Sequence, residues 1–142
     1  MKAYCEKCDK FVDYELRKEI KTITVRGLTF ETDFYHACCK ECHEEASANE
    51  VWRLNDKIVY DKYRKLSGLL TSDEMKAIRQ KRGMSQVELA RFIGCGEKNI
   101  ARYETGTIQD RVFDNLIRMV GDDDCYYAMI KLKEKTPTLV TQ

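Results

Sequence analysis

The chain has 142 residues, with 25 Lys and Arg against 24 Asp and Glu and a formal net charge of +1, enough for one domain or two small ones with modest cores. Hydrophobic residues make up 43% and charged residues 35%, the balance of a soluble globular chain, and no apolar run reaches the roughly 20 residues that span a bilayer. Met1-Lys2-Ala3 leads into "YCEKC" without the apolar stretch of a signal peptide, which predicts a cytoplasmic protein with no membrane partner.

Seven cysteines, an odd number, point to metal ligands or buried thiols rather than a disulfide framework. Five of them, Cys5, Cys8, Cys38, Cys39 and Cys42, crowd the first third. Cys5-x2-Cys8 and Cys39-x2-Cys42 are two chelating turns, each able to aim both thiolates at one point, and together they complete a four-sulfur shell around one structural Zn2+. Zinc is preferred to iron on availability. Cys38 would replace Cys39 if the turn slipped by one residue, but the x2 spacing selects Cys39. His36 and His43 flank this turn and are expected to stay outside the shell, because four thiolates already close it.

Between the cysteine pairs, "YELRKEIKTITVRG" carries Leu16, Ile20, Ile23 and Val25, and "LTFETDFYHAC" carries Phe30, Phe34 and Tyr35. This pattern around Gly27 predicts a β-hairpin. From Ser47 the period changes. "SANE" has the form of a capping box, and Val51, Trp52, Ile58, Val59, Tyr63 and Leu66 follow at helical spacing, predicting a helix over 49–66 that "SGLL" ends.

Two further boxes, Thr71-Ser72-Asp73-Glu74 and Ser85-Gln86-Val87-Glu88, open helices stopped at Gly83 and Gly94. "EKNIARYE", "RVFDNLIRMV" and "CYYAMIKLKEK" predict three more before Thr136-Pro137. The expected class is α+β, with residues 1–46 a zinc-binding domain, 47–70 a helical linker and 71–142 an all-α domain.

The turn Gly94-Cys95-Gly96 between two short helices is the pattern of a helix-turn-helix, whose second helix enters a DNA major groove while the first crosses the backbone. From Lys76 to Arg118, nine basic side chains face five acidic ones, a local excess suited to phosphate. Lys98 can donate to guanine, Asn99 can pair with adenine, and Arg102 can read guanine or hold a phosphate. Gln86 stands at the amino end of its helix, where backbone N–H groups attract a phosphate. Ile100 and Tyr103 are expected in the core, Glu104 as a local tie before Gly106, and Arg91 and Arg111 in solvent.

Residues 71–120, with "SQ", the Leu-Ala pair, the glycine turn and "RYETG", resemble the Xre/Cro-type helix-turn-helix. The order of parts, Cys-x2-Cys, "ITVRGLTFE", Cys-x2-Cys, a helical connection and this domain, resembles the MqsA family of antitoxins. That resemblance implies a zinc domain that binds a toxin protein, MqsR-like or other, and a second domain that forms a homodimer on a palindromic double-stranded operator and represses its own operon. Lys98 and Arg102 match the family's base-reading positions, although the first is commonly Asn there, and Cys38 is a further departure. The toxin would contact Tyr4 to Phe11 and the hairpin, and residues 110–134 would form the dimer. The alternative is a stand-alone Xre-type transcription regulator of a phage or mobile element with a structural zinc module. An enzyme is not expected: there are two histidines, both beside the second cysteine turn, no Gly-rich phosphate loop and no closely spaced acid pair outside Asp122 to Asp124.

Overall fold

The computed structural model describes residues 2–135. The fold is α+β, an antiparallel four-stranded sheet with a cysteine cluster, followed by an all-helical region. Contacts divide the chain into two units, one comprising residues up to Gly68 with Thr105–Ile108, the other Leu69–Glu104 with the chain from Gln109 onward.

In the first unit, β1 (Lys2–Cys5), β2 (Lys10–Val25), β3 (Leu28–Cys39) and β4 (Glu45–Ala46) pair in the order β1-β2-β3-β4. The predicted hairpin is present and longer than its apolar pattern suggested. Val25 pairs Leu28 across Arg26 and Gly27, both at positive φ of 49° and 84°, the primed turn whose twist matches that of the strands. At the cysteine end the sheet closes on itself, because the Tyr4 and Ser47 backbones exchange hydrogen bonds of 2.9 and 2.8 Å. Small residues fill the space inside, chiefly Ala3, Val12, Ala37, Ala46, Ala48 and Val51 with Cys5 and Cys39.

The apolar residues of β2 do not share one face. Leu16 and Ile20 project from the side that bears Val12, and Ile23 and Val25 from the other, since successive strand residues alternate. Leu16 and Ile20 remain 48% and 70% exposed.

The predicted helix is α1 (Asn49–Ser67). Its expected capping box is not formed, because Ser47 is held in the bridge to Tyr4, the N-cap is Ala48, and Glu50 instead accepts from the Tyr14 hydroxyl. Val51, Asn55 and Val59, four residues apart, form its buried stripe. Trp52 and Leu66 fall outside that stripe, 62% and 54% exposed. Asn55 accepts from the Tyr35 N–H and donates to the Tyr35 carbonyl, both at 2.8 Å, so its amide takes the place of a neighbouring strand on the edge of β3. Arg64, fully buried, reaches Asp61 at 2.9 Å and the Thr107 carbonyl at 2.6 Å.

The second unit holds α2 (Ser72–Lys81), α3 (Gln86–Ile93), α4 (Asn99–Thr105), α5 (Arg111–Gly121) and α6 (Asp123–Lys135). Both predicted capping boxes form, Thr71 with Glu74 and Ser85 with Glu88. Its core is Leu70, Met75, Leu89, Ala90, Ile93, Ile100, Tyr103, Ile117 and Val120. Beside it lies a polar centre that the sequence did not announce. Asp114, with no exposed surface, accepts from the Leu70 N–H at 2.8 Å, from the Gln109 amide at 3.1 Å and from Arg118 at 2.8 Å. Thr136-Pro137 lies outside the described residues.

Candidate nucleic-acid interface and metal centre

The capped helices set the geometry of the candidate DNA-reading surface. Gly94 ends α3 in the left-handed region at φ 84°, which glycine reaches without steric cost. Cys95 packs against the helical core, and Asn99 lies beside Gly96 at the start of α4. Within α4, Ile100 and Tyr103 are buried at 1% and 6% exposure. At 100° per residue, Lys98 and Arg102 then fall together on the opposite face, and both are exposed. Asn99 lies on the flank between the two faces, half-buried. Lys98 makes no salt bridge with any described residue. Arg91 pairs with Glu97 at 2.7 Å in solvent rather than standing alone.

One framework residue has a longer reach than its sequence position suggested. Glu104, expected as a local tie, receives Arg79 through two bonds of 2.8 and 3.0 Å. Arg79 also donates to the Met84 carbonyl at 3.0 Å, and Gln86 donates to the same carboxylate at 3.2 Å. This joins α2, the entry to α3 and the end of α4, and raises the Arg79 pKa through its bond to Glu104. Gln86 is therefore half-buried at the amino end of α3 with its amide turned to Glu104. No linear spacing links residues 79 and 104, so only the fold reveals the pair.

The second constellation is the cysteine cluster. Sγ atoms of Cys5, Cys8, Cys39 and Cys42 all lie within 4.8 Å of one another, with Cys5 to Cys42 at 3.5 Å and Cys8 to Cys39 at 3.9 Å. A tetrahedron with Zn–S bonds of about 2.3 Å has sulfur-to-sulfur edges of about 3.8 Å, so the donor set fits a tetrahedral dication. Both turns use the same backbone device, a positive φ directly after the second cysteine, 52° at Asp9 and 65° at His43. N–H groups of Cys42 and Glu41 point at Cys39 Sγ and bring its pKa down to about 7. Cys8, whose thiol hydrogen-bonds to the Cys42 sulfur, is pushed up to about 12. Thiols this close cannot all ionise until a cation shares their charge.

The strand alternation of β3 decides between the two adjacent cysteines. Cys39 faces the cluster, and Cys38 faces the other side of the sheet, where the Arg17 guanidinium donates to its sulfur at 2.8 Å. His36 stays outside the cluster, with Nδ1 3.0 Å from Glu45 and Nε2 3.2 Å from Glu19, the latter without hydrogen-bond geometry. His43 is exposed.

Residues 72–124 match the family model of a helix-turn-helix domain, from α2 into the start of α6. That segment defines the class: a helix-turn-helix domain of the DNA-binding, transcription-regulating kind, joined to a four-cysteine sheet domain. No curated protein matches the chain. Among the described residues no helix is long and apolar enough to cross a membrane.

Proposed function

We propose that the chain is an antitoxin that represses its own operon, with residues 71–142 binding a palindromic operator as a homodimer and the zinc-holding domain binding a toxin protein. The observation that carries the DNA-binding half is the placement of Arg102 on the exposed face of α4 and of Lys98, the residue just before that helix, on the same side, behind a glycine turn and opposite buried Ile100 and Tyr103. In this reading Lys98, Asn99 and Arg102 meet base edges and phosphates, and Gln86 turns from Glu104 to a backbone phosphate. Cys5, Cys8, Cys39 and Cys42 hold one structural Zn2+ that organises the sheet and leaves no open coordination position. Exposed Val112, Met119, Tyr127 and Leu132 on α5 and α6 favour these helices as the dimer contact.

The test is a titration of the purified chain against DNA upstream of its own gene, with unrelated DNA as control and salt varied. Selective binding is expected, with about a 1:2 ratio of duplex to chain from the two-fold half-site geometry of such regulators. Equal affinity for both DNAs would overturn the autorepressor. Co-expression with the product of the adjacent gene, followed by affinity capture, separates the antitoxin from a stand-alone regulator: a stoichiometric complex is expected, and its absence selects the regulator.

A further inference from the structure

β1 covers β2 only from Lys10 to Asp13. From Glu15 to Val25 the same edge has no strand beside it among the described residues, and its side chains from Glu15 to Thr22 are all exposed. The available backbone groups belong to the even-numbered residues. Asn55 occupies the outer N–H and carbonyl of Tyr35, whose register partner is Lys18, so Lys18 and its alternates direct theirs away from β3.

We propose that this edge pairs with the same edge of a second copy, antiparallel, with Ile20 on the two-fold axis. The register follows from charge and space. Centred on Ile20, Glu19 lies opposite Lys21 of the other copy, twice by symmetry, and no two like charges meet. Leu16 faces Thr24, Lys18 faces Thr22, and Ile20, the most exposed apolar side chain of the uncovered stretch from Glu15 to Val25 at 70%, is covered by its own mate. The pairing runs from Glu15 to Val25 and stops where the turn at Arg26-Gly27 leads the chain away, just short of the strand position that β1 occupies.

Neighbouring registers fail. A centre at Glu19 sets Glu19 on Glu19 and Arg17 on Lys21, and a centre at Lys21 sets Lys21 on Lys21, each a like-charge contact that destabilises a sheet. A centre at Lys18 drives Ile23 into the place of Lys2. A centre at Thr22 leaves residues 15–18 unpaired. Charged side chains can protect an edge as well as short length or bulges do, and this one carries Glu15, Arg17, Lys18, Glu19 and Lys21, but it is long and regular, and in the Ile20 register those charges are complementary to themselves.

The experiment uses the full-length, zinc-loaded chain carrying Ile20→Cys. Opposed residues in a hydrogen-bonded antiparallel pair have Cα atoms about 5.5 Å apart, within disulfide range, and a link between two copies of the same position is necessarily intermolecular. Mild oxidation followed by mass mapping should give that link. Lys18→Cys, whose mate lies about four residues along the other strand, on the order of 13 Å away, should not self-link. Adding Glu19→Lys to Ile20→Cys should lower the yield about tenfold, and adding Lys21→Glu as well should restore it. Equal linking at positions 18 and 20, no link at 20, or a yield indifferent to the reversals would overturn the proposal. Operator affinity, measured on the same variants, reports on α4 and stands or falls separately.

Discussion

At the scale of single residues, the side chains that matter divide into those that present chemistry and those that hold it in place. In the proposed function Lys98 and Arg102 belong to the first group; both are exposed and neither is part of the helical core. Alanine at either position should weaken operator binding by about 1–3 kcal/mol, with unchanged melting of the free protein, in a salt-controlled titration. Asp114 belongs to the second. Burial raises its pKa, but Arg118, the Leu70 N–H and the Gln109 amide outweigh burial and hold it below the ordinary carboxylate value. A depressed carboxylate contributes stability above its unfolded pKa of about 3.9, and that share is lost as pH falls through the folded value. Asp114→Asn keeps an acceptor for Leu70 and Gln109 but removes the charge. The variant should lose about 1–3 kcal/mol at pH 7, a figure kept low because Arg118 is half-exposed. Its stability should also fall less than wild type between pH 5 and 2 in denaturant titrations. Equal acid dependence in both proteins would remove Asp114 from this role.

At the scale of elements, what the sequence disclosed was local and what it concealed was long-range. The boxes at Thr71 and Ser85, the stop at Gly94 and the inward side of α4 all rest on interactions within a few residues, and each is present as read. Each cysteine turn is local too, because x2 spacing sets its geometry, and the pairing of β1 and β3 with β2 then brings the two together. Ser47 failed as a cap because a partner 43 positions away in the chain, Tyr4, claims its backbone. The apolar pattern groups Leu16 and Ile20 with Ile23 and Val25, although strand parity puts the pairs on opposite faces, and the Arg79 to Glu104 tie has no linear signature. Asn55 is the sharpest case, a polar residue within an apolar helical stripe whose amide serves as a strand. Asn55→Ala leaves the outer N–H and carbonyl of Tyr35 without a partner and should cost about 2–4 kcal/mol in chemical denaturation of the sheet unit. Asn55→Asp can accept from the Tyr35 N–H but sets a buried carboxylate oxygen against the Tyr35 carbonyl, so near neutral pH it should cost at least as much as alanine.

At the scale of the whole molecule, the two units draw stability from different sources. The helical unit buries Leu89, Ile100, Ile117 and Val120 almost completely, a conventional apolar core. The closed end of the sheet buries mostly alanine and two of the four clustered cysteines, and so small an apolar area rarely sustains a fold without a metal or disulfide. Removing the zinc proposed for the cysteine cluster with a strong chelator at neutral pH should therefore melt the sheet and spare α2 to α6. Limited proteolysis with mass mapping would then find cleavage throughout residues 2–46 and protection across residues 72–120, and Cys5→Ser should give the same pattern without chelator. Because Lys98 and Arg102 lie on the spared unit, operator DNA should still be bound selectively by the metal-stripped chain, while capture of a protein partner by the sheet domain should be lost. Loss of both activities together would mean that the sheet domain takes part in DNA binding, and loss of neither would place the partner contact on the helices.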